Sequence, residues 1–392
     1  MRGHNKAAVL VAAAGLLLSA CGGAEPDAPA EPAGSSVPHG YVEGAEETAE
    51  AQSRLVLADA GSGAVRVLDL LTEEVTELDD VAGVRDISTD GRFAYLATGG
   101  ATHVIDSGAW MVDHGDHVHY YRAAIGGAGR LDGRAVAAHT DPAVTTVPLA
   151  DGTTSVLDRP ALEDGEVPPG ESLDGLAVPY EQKLLLAEGD QLRVAARDGS
   201  GGSPVAERCP EPEGTAVTRR GVVFGCADGA LLVSEDDGEF TGEKIPYPEP
   251  VPEGERASEF THRPGSATLA ATAGERGVWS LDVSERAWTF VETGSVAAVN
   301  VVGEGAPLLA LTPDGVLHAY DAVTGEHQAS RPLLEGGVPD GATPSIQVDT
   351  NRAYVNDPAG KRVHEIDYND SLRVARTFDT GITPSHVVET GR

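Results

Sequence analysis

The chain has 392 residues, with 62 acidic against 28 basic side chains and a formal charge of −34. That charge repels phosphate and excludes recognition of nucleic acid or an anionic membrane surface through a basic patch. A hydrophobic content of 41% is enough for a packed core, and 48 glycines spread along the chain favour many tight turns between many short strands.

Residues 1–20 read as a signal peptide, with Arg2 and Lys6 ahead of an apolar run over residues 7–18 that is too short for a comfortable membrane span. The ending Leu18-Ser19-Ala20-Cys21 resembles a bacterial lipobox, which implies cleavage before Cys21 and attachment of lipid to its sulfur. Cleavage there removes two cations and no acid, leaving a charge of −36 on an exported chain anchored by lipid to the extracytoplasmic face of the cell membrane. Residues 21–52 are Gly, Ala, Pro, Glu and Ser with almost no large apolar side chain, so they read as a disordered acidic tether. His39 sits in it among carboxylates, as part of a solvated linker.

From residue 53 to 392, short alternating strands recur with Gly or Asp turns between them. Residues 55–69, 310–321 and 353–367 each read as strand, tight turn and strand ending in Asp, the hairpin at the middle of a propeller blade. Inner strands are expected near Val84, Gly133, Leu173, Gly214, Ala257, Val296, Ala342 and Thr383, a spacing at which each unit is one four-stranded sheet stacked on its neighbours. The fold class is therefore all-β, a single propeller of about eight four-stranded blades, with seven as the alternative. The strand at 384–389 lacks a following hairpin and the segment at Arg54 lacks an inner strand, so the chain ends are expected to pair.

One segment carries metal chemistry: Asp113-His114-Gly115-Asp116-His117-Val118-His119-Tyr120-Tyr121. On a strand, His117 and His119 project to one face roughly 7 Å apart. A turn at Gly115 can fold His114 back toward them, and Asp113 or Asp116 can supply an oxygen. Three nitrogens and a carboxylate suit tetrahedral Zn²⁺, with neither thiolates for Cu(I) nor an all-oxygen cage for Ca²⁺. The competing reading is a polar blade edge where these side chains are merely solvated. His103 precedes the segment and reads as a structural histidine, while His139, His262 and His386 fall on or beside inner strands. The remaining cysteines, Cys209 and Cys226, read as a disulfide across one hairpin of an exported protein.

The Asp113–Tyr121 segment resembles that of the AztD family, exported zinc metallochaperone propellers encoded with zinc ABC transporters. Ala177-Val178-Pro179, Cys209-Pro210, Phe224-Gly225-Cys226-Ala227-Asp228-Gly229, Glu365-Ile366-Asp367-Tyr368 and Val388-Glu389-Thr390-Gly391-Arg392 extend the likeness along the domain. The resemblance implies Zn²⁺ binding through His114, His117 and His119 and direct transfer to the solute-binding protein of a zinc ABC transporter. Leu173-Asp174-Gly175 and Glu211-Pro212-Glu213-Gly214 stand where the family pattern would have His, so the resemblance is silent on any second metal site there. A surface-presenting propeller scaffold is the alternative function. No Gly-x-Ser-x-Gly or His-Glu-x-x-His pattern points to catalysis, and the expectation is a non-enzyme.

Overall fold

The structure, a computed structural model, describes residues 40–115 and 117–392. The segment expected to be a signal peptide, the expected lipidation site Cys21, most of the expected tether with His39, and Asp116 lie outside the described residues. A compact unit spans Val42–Arg392. Among the described residues the only helical segments are one α-helix, Arg159–Glu163, and one 3-10 turn, Glu253–Glu255.

Among the described residues, nine antiparallel sheets of three or four strands build a propeller-like fold. Eight succeed one another along the chain, and several of their first strands approach that of the next sheet, as His386–Thr390 does Asp86–Thr89 and Ala298–Val301 does Ile346–Val348. Burial follows from this stacking. Second strands such as Phe93–Ala97 and Gly221–Cys226 are covered on both faces and read as unbroken apolar runs, whereas the fourth strand Glu239–Pro246 alternates toward solvent. The expected inner strands occur a few residues beyond their sequence markers, as in Asp86–Thr89, Thr215–Thr218 and Ala298–Val301. In the sixth sheet that strand shrinks to a single bridge between Thr261 and Ala270.

The Asp that ends each predicted hairpin has a local task. Asp69 Oδ1 accepts from the backbone N–H of Leu71 and Thr72, Asp321 Oδ1 from Val323 and Thr324, and Asp367 Oδ1 from Asn369. Each carboxylate caps the turn that leads to the next strand.

Apolar clusters lie between successive sheets. Phe93, Tyr95 and Val104 of the second sheet meet Val147 and Leu157 of the third, and Leu309 and Leu317 of the seventh meet Val355 and Ile366 of the eighth. Leu55, Leu57 and Leu68 of the first sheet meet Tyr354, Val363 and Phe378 of the eighth. The chain ends pair as expected: His386–Thr390 is antiparallel to Arg54–Ala58, with Val388 opposite Val56.

The ninth sheet is an insertion. After Ala101–Asp106 the chain leaves the second sheet, forms the hairpin Ala109–Asp113 and Val118–Arg122, then returns as Gly126–Asp132 against Ala101–Asp106. The two passes cross closely at Gly108, whose φ is +64° and where a Cβ would stand 2.5 Å from the Ala123 carbonyl oxygen. Glu46–Thr48, which composition assigned to the tether, adds a third strand to this ribbon, with Glu46 opposite Arg122 and Thr48 opposite Tyr120.

Cys209 and Cys226 are bonded, but across two sheets and not within one hairpin. Cys209 follows the outermost strand of the fourth sheet, Ser203–Arg208, and Cys226 ends the second strand of the fifth. The bridge thus clamps one sheet to the next.

Two outcomes follow from this packing. Replacing both cysteines with Ser should lower the unfolding free energy by about 3 kcal/mol in a urea titration, as expected for a loop of this length. A chain ending at Ser385 should lose cooperative thermal unfolding by circular dichroism, because it exposes Leu55, Leu57 and Val56 together.

Candidate metal centre

The ribbon is held at its root and bare at its tip. Trp110 stacks on Tyr121 at 5.2 Å between centroids, and the Arg92 guanidinium lies 3.9 Å over the Trp110 ring. Arg92 also makes two bonds to Asp106, at 3.2 and 2.8 Å, so the hairpin is tied to the second sheet. At the far end, the His114 N–H donates to the His117 carbonyl at 2.9 Å, closing a four-residue loop. Gly115 in that loop has a φ of +85°, which disfavours any residue with a Cβ.

These constraints bring together three of the five predicted ligands. One ligand nitrogen from each of His114, His117 and His119 lies within 4.8 Å of the others. The Nε2 atoms of His117 and His119 are 3.0 Å apart. With Zn–N bonds of about 2.05 Å, a tetrahedral edge measures about 3.3 Å, so the spread needs only side-chain adjustment to take one ion. The His114 ring lies 5.0 Å from His117 and 5.2 Å from His119. His119 is buried, while His114 and His117 are exposed.

Asp113 accepts the Gly115 N–H at 2.7 Å through Oδ1 and so shapes the loop. Asp116 lies outside the described residues. The carboxylate that touches the cluster is Glu47, whose Oε1 is 2.6 Å from His119 Nδ1. With the Nδ1 proton donated to Glu47, a neutral His119 keeps its lone pair on Nε2, facing His117. A carboxylate so placed is suited to fixing the tautomer of an imidazole that would bind a metal. Sequence reasoning missed Glu47 because it sits among several similar acids, and its partner is 72 residues away. The only local signal was a short Glu-Glu-Thr stretch able to extend.

The other histidines are elsewhere. His103 lies on Ala101–Asp106, opposite Arg130, and burial followed by that charge lowers its pKa. Among the described residues, the group His114, His117 and His119 is the one set of three or more potential ligands so arranged. His139 Nε2 lies 2.7 Å from Thr215 Oγ1, and His262 Nε2 donates to the Val217 carbonyl at 3.1 Å. Burial, joined by the neighbouring His262 for His139 and opposed by the Val217 bond for His262, pushes both down to about 4. His386 stands 3.4 Å from Thr343 Oγ1.

No protein-family profile and no curated protein matches the chain. Among solved structures, a crystal structure of AztD from Citrobacter koseri superposes with a TM-score of 0.70 at 20% identity, covering 87% of this chain and 98% of that one. A structure of apo AztD from the same organism gives the same values. The dihydro-heme d1 dehydrogenase NirN, in complex with DHE, follows with a TM-score of 0.54 at 15% identity, over 86% of this chain and 75% of that one. At these identities the likeness is one of architecture, and this chain has an AztD-like fold.

The inner histidines make a pH prediction. Ring nitrogen NMR should find His139 and His262 neutral down to about pH 4. Their folded pKa lies below the unfolded value, so their contribution to stability is complete above about pH 6.5 and is lost as pH falls toward 4. Glu389, raised to about 7 by burial, acts in the opposite sense: its contribution is present below its unfolded pKa and lost as pH rises through about 7. Titration of either histidine near pH 6.5 would contradict this assignment.

Proposed function

We propose that this protein is an extracytoplasmic Zn²⁺ carrier: an eight-bladed propeller, held at the membrane by lipid on Cys21, that acquires zinc on its ribbon and passes it to the solute-binding protein of a zinc ABC transporter. The observation that carries the reading is the convergence of the His114, His117 and His119 nitrogens within 4.8 Å. Support for eight blades comes from the order of the apolar clusters, which join each sheet to the next and the eighth to the first. The AztD-like fold is in keeping with the role, and the membrane anchor rests on the lipobox-like sequence.

The arrangement suits transfer better than catalysis. Zn²⁺ has no redox chemistry and accepts a fourth ligand readily, so three imidazoles leave one tetrahedral position for water or an incoming group. His119 is buried and oriented by Glu47, while His114 and His117 are exposed at the loop. An acceptor's ligand can therefore enter on the exposed side, displace the outer imidazoles in turn, and take the ion from His119 last. No free ion forms along such a path. The acidic surface raises the local cation concentration and favours an acceptor with a basic or neutral docking face.

The test is a competition titration of the metal-stripped chain with a chromogenic zinc chelator. One Zn²⁺ per chain should bind with a Kd on the order of micromolar or tighter. His117→Ala combined with His119→Ala should weaken it by about 100-fold or more, and Glu47→Gln by about tenfold, with unchanged circular dichroism. Equal affinity in the double variant would remove the site. Tight binding without accelerated delivery to a solute-binding protein would leave zinc storage in place of transfer.

A further inference from the structure

A second pair of imidazoles meets at the outer edge of the seventh sheet, away from the ribbon. His318 lies on Val316–Asp321 and His327 begins the last strand of that sheet, His327–Pro332. His318 Nδ1 and His327 Nε2 are 3.4 Å apart. That matches the tetrahedral edge of about 3.3 Å set by Zn–N bonds of about 2.05 Å. At this length a hydrogen bond between the two rings is weak.

A bulge creates the meeting. In the regular part of the ladder His318 faces Ser330 and Ala319 faces Ala329, a register in which Gln328 would fall opposite Tyr320. The register then shifts by one residue, and His327 stands opposite Tyr320. Tyr320 and His318 are two apart on one strand and share a face, so the shift moves His327 onto the face of His318. Bulges commonly re-aim a side chain in this way. The rings of His318 and His327 lie 5.5 Å apart, and Tyr320 packs 5.3 Å from His327 and 6.0 Å from His318, forming a floor beneath both.

The tautomer of His318 is also arranged. The single proton of Thr312 Oγ1 is engaged by Asp314 Oδ1 or by the Val316 carbonyl, which leaves the oxygen open to His318 Nε2–H, 3.4 Å away. In the tautomer with that proton on Nε2, the lone pair of His318 Nδ1 faces His327. Asp314, Thr312 and His318 form a relay of the kind that backs a metal-ligating histidine.

We propose that His318 and His327 form a second, two-imidazole site for a borderline divalent transition-metal ion such as Zn²⁺ or Cu²⁺, completed by water. Two protein ligands on an exposed edge bind more weakly than three, and Cu²⁺ binds more tightly than Zn²⁺ by the usual order for nitrogen sites. The inference does not depend on the ribbon's role, because the two sites share no residue.

The experiment uses the full chain carrying His114→Ala, His117→Ala and His119→Ala, which removes the ribbon site. Equilibrium dialysis against Zn²⁺ should still load a single ion per chain, and Cu²⁺ should give an electron paramagnetic resonance spectrum with couplings from two imidazole nitrogens. Adding His327→Ala, or separately His327→Gln in case the first disturbs the edge, should weaken Zn²⁺ binding by at least about tenfold. Thr312→Val, which keeps both ligands, should weaken it several-fold and leave the Cu²⁺ nitrogen couplings in place. The proposal is overturned if the chain lacking the ribbon histidines binds Zn²⁺ identically with and without His327, or if the Cu²⁺ spectrum lacks nitrogen couplings. Zinc binding by the parent chain that is indifferent to the ribbon substitutions would count against the carrier function and not against this pair.

Discussion

Everything in the domain depends on the pairing of His386–Thr390 with Arg54–Ala58. A meander sheet with apolar side chains on both faces cannot bury them alone, so each sheet here is stable only between two neighbours. The C-terminal strand gives the first sheet its inner strand, and with it the eighth and first sheets share Leu55, Leu57, Tyr354 and Phe378. Fully burying one such side chain is worth about 1.5–3 kcal/mol, and an unclosed arrangement would forfeit several at once. The disulfide reinforces the same joint-by-joint logic between the fourth and fifth sheets.

The ribbon stands outside this stacking, since none of its residues joins the apolar clusters between successive sheets. The ribbon leaves the second sheet after Asp106 and returns to it at Gly126, opposite Asp106, with one register shift between Gly127 and Gly129 before the ladder runs on to Asp132. Its root is fixed by Arg92, Trp110 and Tyr121, and its free end holds the imidazoles. His119 is buried while His117 and His114 are exposed, so the ring bonded to Glu47 is also the least accessible. That difference follows from strand geometry: His119 lies inside the ladder opposite Val112, whereas His114 and His117 close the loop beyond it.

The sequence was most legible where its signal was local. Period-two alternation, glycine turns and a terminal Asp repeat within each hairpin, and the structure shows why the Asp recurs: it caps backbone N–H groups of the next turn. The histidines were legible for the same reason, since spacing by two fixes a common face and Gly115 marks the loop. What escaped was set by contacts distant in sequence. Glu46 and Glu47 have the composition of a linker, yet Arg122 and His119 give them partners and a backbone to pair with. The location of the disulfide escaped likewise, because a 17-residue separation fits one hairpin or a crossing between sheets. The bulge that turns His327 leaves no mark on the alternation of its strand beyond one displaced residue.

The two histidine clusters differ in ligand number and in setting. Glu47 bonds His119 directly in one, whereas in the other Thr312 stands between Asp314 and His318. In the ribbon, the oriented ring is the buried one and the remaining two stand on a loop, so affinity and accessibility belong to different residues. At the edge of the seventh sheet both rings stand on paired strands. An ion there would exchange with solvent through its water positions, whereas an ion on the ribbon can be handed from ligand to ligand. On the proposed readings, then, a pair held on a ladder would exchange its ion with water, and a cluster whose outer rings stand on a loop would pass it from ligand to ligand.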